Sequence, residues 1–393
     1  MIGTLLTVER RRVRRGAPGL LLGLLLGLSL TACASATPVG VSGGRSGNVS
    51  VPPAALAPIR WPIKTAEHID LWLHAFATLS SDSSVVPLYR RDYRDSMTVV
   101  KNRANLLTAL DANRTTLVKG LTASGGYLPA QFLPLDMANW DVVRAFAEQF
   151  LRFEGEPRRA PDKETAARVA QFAALFPTAA DREWLRLFIA GVADEQARFF
   201  ADEHARVVRT RVAVITAVDS LWQRVYRSRF ERFLTNTSQR TGDIVLSLPI
   251  GGEGRTGVGR DGQTVVVVPF PQRVDDAAEV LYVFVHEVSG TLVGGVVGDN
   301  TTPAEQRAGV ADRLVSMGQV RAGALVLERV APELLEPYMR YYLTQAGAGR
   351  GRTPSAASLS GIVLSTAFHN RFPIPDTIRD ALVRQIDIVL GGI

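Results

Sequence analysis

The sequence predicts an α+β fold that is mostly α: a helical N-terminal region followed by a region with a small β-sheet. Apolar residues recur at helical spacing from Trp61 to about Thr237. Runs of β-branched residues of strand length first appear at Ile244–Leu248 and Thr264–Val268. The composition, with 46% hydrophobic and 21% charged residues in a chain of 393, is typical of a globular protein.

The first 33 residues have the pattern of a targeting segment. A basic stretch, Arg10–Arg15, precedes an apolar run over Leu20–Leu30, which ends in Leu30-Thr31-Ala32-Cys33. This order of basic region, apolar run and small residues is that of a secretory signal peptide. We therefore predict that residues 1–32 are a signal peptide.

The four residues that end this segment resemble the lipobox of bacterial lipoproteins. The resemblance implies that Cys33, the sole cysteine, is acylated through its thiol and becomes the N-terminus after cleavage behind Ala32. Several acyl chains give lasting membrane attachment where one does not. Residue 34 is Ala and not Asp, which by the sorting rule of that class favours the outer membrane if the organism has one. The expectation is a lipid-anchored protein of the bacterial cell envelope; the alternative is a secretory signal with an incidental cysteine.

Residues 33–60 are rich in Gly, Ser, Ala and Pro without apolar periodicity, and they are predicted to form a flexible tether. The formal net charge is +7, but five arginines and one glutamate in residues 1–32 supply +4 of it. The remaining +3 is too small to indicate a nucleic-acid partner. A single cysteine also excludes an intramolecular disulfide and a cysteine-ligated zinc site.

The predicted helical region spans residues 61–237. Residues 181–234 contain no Pro and a single Gly, which indicates one long helix or two in tandem. Asp70 and His74 have the i, i+4 spacing of a carboxylate–imidazole pair, which we interpret as structural. His204 is interpreted as part of a solvated polar stretch.

Residues 238–393 are predicted to form the second region. Its two strands are separated by a glycine-rich segment, 251–259, which is interpreted as a flexible hairpin connection, and Asp261-Gly262 is a tight-turn signal. Asp275-Asp276 is the predicted cap of the helix that follows. The remaining segments are a helix over about 277–297, a helical series through 304–345, a loop at 346–356 and final helices.

The helix after the second strand contains Val283-Phe284-Val285-His286-Glu287-Val288-Ser289-Gly290. Strands followed by a helix with His-Glu after an apolar lead-in resemble the zincin metallopeptidases, in particular the gluzincins. The motif of that superfamily is His-Glu-x-x-His, because residues four apart share a helical face and present two imidazoles to one Zn²⁺ while the Glu activates the bound water. Here Gly290 stands at the second ligand position, and glycine has no side chain with which to bind a metal.

The resemblance implies that His286 is the first zinc ligand and Glu287 the general base. The third gluzincin ligand is a Glu on a later helix. Glu328 is the preferred candidate because it interrupts an apolar helical stretch, where an unpaired carboxylate is costly to bury, and Glu305 is the other. Gly290 and the glycines at 294, 295 and 298 are expected to mark close helix packing or an approach to a ligand, since glycine is unfavourable in a helix interior.

Three functions stay open. The first is a zincin-like lipoprotein that has lost its metal and its activity. The second is an active zinc-dependent peptidase whose missing ligand comes from elsewhere, such as His369, His204 or a carboxylate, and whose strand 264–268 pairs with an extended peptide or protein substrate. The third is a binding or structural lipoprotein unrelated to zincins, in which His286 is a core residue. The cofactor that the peptidase function implies is zinc. The partner that the lipid anchor implies is the membrane.

Overall fold

The computed structural model describes residues 58–80, 84–260, 262–347 and 358–391. In these residues the chain is mostly helical with one mixed four-stranded sheet, which confirms the α+β, mostly-α class. The predicted signal peptide, Cys33 and all but the last residues of the tether lie outside the described residues, as does most of the predicted loop at 346–356. The chain from Leu56 to Ile393 forms one compact unit.

The helices before the central strands build an aromatic core. Trp72, Phe188 and Trp184 lie in contact inside it, with ring centroids 5.1 Å apart for the first two and 4.8 Å for the last two. The helices of this part are α1 Glu67–Leu79, α2 Tyr93–Arg103, α3 Ala109–Ala112, α4 Arg114–Ala123, α5 Trp140–Arg152, α6 Lys163–Leu175, α7 Ala179–Glu195, α8 Ala201–Thr210, α9 Val212–Leu221 and α10 Arg227–Asn236.

The long helical segment predicted over 181–234 is an almost unbroken series from α7 to α10. It contains two π-helical turns, Gln196–Phe200 and Trp222–Tyr226, and it is interrupted at Arg211. The Arg211 guanidinium donates to the carbonyl oxygens of Phe270 and Pro271 at 3.1 and 3.3 Å. The interruption therefore coincides with a tertiary contact that the sequence pattern does not contain.

The sheet has the strand order β1-β2-β4-β3, with β1 Ile63–Thr65, β2 Gly242–Ser247, β3 Arg255–Val258 and β4 Thr264–Pro269. β1, β2 and β4 are parallel, and β3 is antiparallel to β4. The hairpin predicted between β2 and β4 is therefore wrong: the hairpin joins β3 to β4, and β3 lies inside the glycine-rich segment. Both β2 and β4 are buried along nearly their whole length, which is typical of parallel strands covered on both faces.

Trp61, which precedes β1, fixes the start of the sheet. A Cβ added at Gly242 would stand 2.5 Å from the nearest atoms of the Trp61 ring, so only glycine fits at the start of β2. The Trp61 indole N–H donates to the carbonyl oxygen of Gln239 at 3.0 Å. The sheet thus joins residues from both sides of the boundary predicted at residue 237.

The helices after the sheet are α11 Glu279–Val288, α12 Gly290–Asp299, α13 Pro303–Arg307, α14 Val310–Val330, α15 Leu335–Gln345, α16 Gly361–Arg371 and α17 Asp376–Leu390. The helix predicted over 277–297 is divided at Ser289, whose hydroxyl donates to the carbonyl oxygen of Val285 at 2.7 Å. The predicted cap at Asp275-Asp276 is wrong, because both residues belong to a 3₁₀ turn before α11. Arg273 binds the Asp276 carboxylate through two hydrogen bonds of 3.0 Å, so this side chain already has a partner.

Helix α11 is buried on nearly all sides and packs against β4. Phe284 lies between the rings of Trp61 and Trp222, with centroids 5.0 and 5.1 Å away. Among the described residues, Val274–Asp299 is long and apolar enough to span a membrane by composition, but most of this stretch is buried inside the fold. A helix that is apolar all round and covered in this way is a core helix.

Candidate functional site

The His286–Glu287 pair lies in the core of the protein on α11. His286 is 2% exposed and Glu287 is 6% exposed. His286 Nδ1 donates to Glu287 Oε1 at 3.0 Å, and the hydroxyl of Thr256 on β3 donates to Glu287 Oε2 at 3.0 Å. Both oxygens of the carboxylate therefore have protein donors.

The surroundings keep Glu287 ionised. Burial alone would raise the pKa of this carboxyl, but the hydrogen bond and charge of His286, the nearby charge of Arg255 and the bond from Thr256 outweigh it and hold the pKa below its ordinary value. A buried carboxylate with this many partners is a stable anion. Because its pKa is lowered, this carboxylate is a weak base toward water.

Two neighbours close the pair off. The ring of Tyr342 on α15 stacks on His286, with centroids 5.4 Å apart and an angle of 22° between the planes. Gly254, in the glycine-rich segment, lies so close to α11 that an added Cβ would stand 2.6 Å from Val283 and 2.9 Å from Glu287 Cγ. The glycine-rich segment thus packs directly onto the helix that carries the pair.

The predicted third ligands lie in other environments. Glu328 is on α14, but its side chain is 58% exposed and pairs with Arg329 at 3.4 Å. The expectation that Glu328 is buried among apolar neighbours is therefore wrong. Glu305 is exposed and caps α13 through Thr302, and His369 is on the exposed side of α16. In the part of the chain that the structure describes, no three His, Cys, Asp or Glu side chains are arranged to hold a metal.

The glycines of α12 do not mark close packing in the way that was expected. Gly290 begins this helix, and a Cβ there would meet only the amide end of Gln319, at 2.6 Å. Gly294, Gly295 and Gly298 have no heavy atom within 4 Å of an added Cβ. The close contact between α12 and α14 is made instead at Gly318, where a Cβ would lie 2.8 Å from Val293.

The strand proposed to bind a peptide is not available for pairing. β4, which contains residues 264–268, is hydrogen-bonded to β2 on one side and to β3 on the other. The periodicity of the sequence identified this strand, but the strand order depends on β3, which the glycine-rich composition of its segment concealed.

Arg255 connects the buried pair to a cavity. This β3 residue lowers the pKa of Glu287 by its charge, and it also lines a cavity of about 470 Å³. Its guanidinium lies over the ring of Phe132, 4.7 Å from the centroid, and donates to Glu253 at 3.1 Å. Its Nε is buried and has no hydrogen-bond partner among the described residues. Apolar residues form much of the wall: Leu79, Leu88, Val118, Leu121 and Leu128.

A second buried histidine–carboxylate pair, His74 and Glu195, joins α1 to α7. His74 Nε2 and Glu195 Oε1 are 2.9 Å apart, and His74 Nδ1 lies 2.9 Å from the hydroxyl of Tyr93. Lys101 donates to both oxygens of Glu195, at 2.9 and 2.8 Å, and Thr108 also donates to this carboxylate. Burial alone would raise the pKa of Glu195, but His74 and Lys101 lower it to about 2.

His204 and Asp70 form part of the same buried layer. His204 is 6% exposed, so its interpretation as a solvated residue is wrong. Its Nε2 lies 3.3 Å from Asp70 Oδ2, and the same oxygen accepts a hydrogen bond from the backbone N–H of Leu248 at 3.2 Å. Asp70 therefore faces His204 and not His74, although the spacing along α1 suggested a pair with His74. These contacts are structural, because the side chains of Asp70 and His74 are fully buried.

Glu279, the first residue of α11, is a carboxyl without hydrogen-bond or ion-pair partners among the described residues. Burial, with the charge of Asp276 added, raises its pKa to about 7 although Arg90 and Arg273 act in the opposite direction. It lines a cavity of about 480 Å³ next to Arg90 and Tyr341. No periodicity or motif in the sequence distinguishes this residue, because the shift arises from the packing around it.

Comparison of the chain with family models, curated proteins and solved structures finds no match. The resemblance to the gluzincins therefore stays a prediction.

Proposed function

We propose that this chain is a lipid-anchored protein of the bacterial cell envelope that binds a small molecule with an apolar body and an anionic end. The observation that carries the binding proposal is the position of Arg255, which lines an open cavity while its charge acts on Glu287. In this proposal the His286–Glu287 pair supports the wall of a binding site and does not hydrolyse a peptide.

The chemistry of the cavity supports this ligand class. A buried donor without a partner, such as Arg255 Nε, is rare in proteins and favours an acceptor supplied from outside. A guanidinium prefers a carboxylate or a phosphate as that acceptor. The leucine and valine side chains of the wall favour an apolar body, since apolar surface is stabilised when it leaves water.

The geometry of Glu287 supports a structural role. Thr256 and Arg255 are neighbours on β3, and Thr256 donates to Glu287, so the carboxylate anchors the strand that presents Arg255 to the cavity. A zinc peptidase needs a Glu whose lone pair faces a metal-bound water. The oxygens of Glu287 are instead directed to His286 and Thr256.

The lipid anchor is proposed from the sequence alone, since Cys33 lies outside the described residues. Replacement of Cys33→Ser removes the acylated thiol. We expect the wild-type chain in the detergent-extracted membrane fraction and the Cys33→Ser variant outside it. A variant that stays in the membrane fraction would contradict the anchor.

Metal content separates the binding proposal from the peptidase. The fragment 34–393 contains the whole compact unit Leu56–Ile393. We expect no zinc above background by mass spectrometry after purification without chelator, and no difference between this fragment and its His286→Ala variant. Near-stoichiometric zinc that disappears in His286→Ala would overturn the structural role of the pair.

Ligand binding is tested with decanoate against 1-decanol, which has the same chain but no charge. We expect calorimetry to detect binding of decanoate by the wild type. Arg255→Gln should weaken this binding about tenfold, because a charge-assisted hydrogen bond is lost. Leu128 lines the cavity and is 61% exposed, so Leu128→Asp places a negative charge at the cavity without disturbing the core. This variant should also bind decanoate more weakly. Arg209→Gln, an exposed arginine outside the cavity lining, is the control. Equal binding of decanoate by all four proteins would contradict the site.

A further inference from the structure

Three arginines line a cavity of about 460 Å³ on another part of the surface. Arg229 and Arg232 lie one turn apart on α10, and Arg329 is in the last turn of α14. Val330, Asp387 and Leu390 complete the lining. The cavity therefore has three cationic groups, one anionic group and a small apolar surface.

Two of the arginines have carboxylate partners. Arg229 pairs with Glu333, which follows α14. Arg329 Nε donates to Asp387 at 2.6 Å and its Nη1 donates to the carbonyl oxygen of Leu325 at 3.0 Å. These contacts fix both side chains beside the cavity and leave part of each guanidinium for other acceptors, since a guanidinium has five N–H donors.

Arg232 is the cation without an ion pair or hydrogen bond among the described residues. Its guanidinium lies against the Cα of Gly391, at the end of α17, in the space that a Cβ would occupy. Gly391 has a φ of 71°, a backbone conformation that favours glycine. The glycine therefore lets the Arg232 side chain lie along the edge of the cavity, where its N–H donors have no partner in the described ranges of the chain.

We propose that this cavity of Arg229, Arg232 and Arg329 binds a phosphate group. Guanidinium groups match the planar pairs of oxygens on phosphate, and several arginines around one point are the usual protein environment for that anion. Asp387 does not oppose the ligand strongly, because Arg329 already neutralises it. Arg232 makes the primary contact and Arg229 the second.

The phosphate has two possible sources: the headgroup of an anionic phospholipid, or a soluble phosphate compound. A basic site near an anionic membrane surface is attracted to it, and a second contact strengthens attachment by acyl chains. The lipid source rests on the lipid anchor proposed above, whereas phosphate binding itself does not.

The test uses the full chain in dodecyl maltoside micelles, which contain no phosphate. Inorganic phosphate is titrated by calorimetry at constant ionic strength into the wild type, Arg232→Gln, Arg229→Gln and the control Arg209→Gln. We expect the wild type and the control to bind equally and Arg232→Gln to bind about tenfold more weakly, with a smaller loss for Arg229→Gln. A wild type that does not bind phosphate, or a loss in Arg209→Gln equal to that in Arg232→Gln, would overturn the site.

The second arm identifies the source. Phosphatidylglycerol is added to the micelles, and native mass spectrometry counts the lipids retained by each variant. If the wild type retains the lipid and Arg232→Gln does not, the phosphate belongs to a lipid headgroup. If all variants retain the same number of lipids while Arg232→Gln still binds inorganic phosphate more weakly, the ligand is a soluble phosphate compound. Cys33→Ser is measured in the same two assays and should give the wild-type results, because the site does not depend on the anchor. A wrong lipid anchor and a wrong phosphate site can therefore be distinguished.

Discussion

Two of the buried histidine–carboxylate pairs described above have different supports. His286 and Glu287 are adjacent in the chain, and the second oxygen of Glu287 is held by the neutral Thr256. His74 and Glu195 come from distant helices, and the cation of Lys101 donates to both oxygens of Glu195. The fully buried Glu195 thus has an ammonium group beside it. Among the described residues, the donors in direct contact with the slightly exposed Glu287 are a hydroxyl and an imidazole.

The comparison shows how a short motif can mislead. The adjacent pair attracts notice because two reactive residue types stand side by side, although both oxygens of its carboxylate already accept hydrogen bonds from the protein. The distant pair has no sequence signal, since His74, Lys101 and Glu195 meet only when α1, α2 and α7 pack together. Its loss should nevertheless destabilise the fold more.

The largest expected effect is that of Glu195→Gln. It removes the fully buried carboxylate beside Lys101 and leaves Asp111, 2.5 Å away and partly exposed, as the remaining carboxylate partner of this ammonium among the described residues. Breaking a buried pair from one side costs up to about 3–5 kcal/mol. The measurement is the free energy of unfolding in urea. Glu183→Gln, on the exposed face of the same helix, is the matched control and should change stability by less than about 0.5 kcal/mol. Equal values for the two variants would remove the distinction between the pairs.

Of the two pairs, the one formed by His74 and Glu195 is expected to make the larger contribution to the loss of stability in acid. The pKa of Glu195 is about 2 in the folded protein, below its ordinary value of 4.5. A lowered pKa gives stability that is fully present above pH 4.5 and is lost as the pH falls toward 2, by about 3 kcal/mol in total. Unfolding free energies measured between pH 7 and pH 2 should fall more steeply for the wild type than for Glu195→Gln. Parallel curves would assign the acid sensitivity to other groups.

Glu287→Gln should have a smaller effect. The amide can still accept one hydrogen bond and no buried ammonium is left behind, so the expected loss is about 1–2 kcal/mol. Urea unfolding is compared with Glu328→Gln, an exposed carboxylate that serves as the control. A loss as large as that of Glu195→Gln would show that the adjacent pair is equally dependent on its charge.

Two glycines near the adjacent pair should respond differently to alanine. At Gly254 the new Cβ would stand 2.7 Å from the carbonyl oxygen of Val267, a backbone atom that cannot move aside, and overpacking of this kind costs about 1–3 kcal/mol. At Gly290 only the flexible end of Gln319 must move, so Gly290→Ala should stay within about 0.5 kcal/mol of the wild type. Thermal unfolding measures both. A larger loss at Gly290 would restore the close-packing interpretation of α12.

A pH effect of the opposite sign concerns Glu279, a carboxyl that has neither histidine nor hydroxyl donors among the described residues. Its pKa is raised to about 7, so the stability that its protonated form provides is present below pH 4.5 and is lost as the pH rises through 7. Glu279→Gln should therefore raise the melting temperature at pH 8 and change it much less at pH 5. A larger gain at pH 5 than at pH 8 would contradict this direction.

Local patterns in the sequence predicted the elements but not their arrangement. The periodicity identified the long helical series and the strands at β2 and β4, because burial of one face or of a whole strand leaves a regular apolar pattern. It did not identify β1 or β3: β1 has three residues, and β3 lies in a glycine-rich segment. The continuous valine run of β4 was itself a signal for a parallel, doubly covered strand, and it was interpreted as half of a hairpin.

The candidate site shows the same limit. His286 and Glu287 were visible as a motif, but whether their side chains face a cleft or the core depends on Tyr342 and Gly254, which come from distant parts of the chain. Glu328 was predicted to be buried from its apolar neighbours, yet on α14 it faces solvent. Arg255 and Arg232 carry no sequence signal, since their significance depends on which of their N–H donors stay without a partner among the described residues after folding.

The pairing of β1 with β2 sets the order in which the protein can fold. Ile63 lies opposite Ile244, and helices α1 to α10 lie between them in the chain. Synthesis proceeds from the N-terminus, so β1 must wait with its edge unpaired until the whole helical part has been made. Contacts between residues so distant in sequence slow folding and leave strand edges exposed to aggregation. The interval before β2 emerges is therefore the stage at which a chaperone or an early-folding helical layer is most needed.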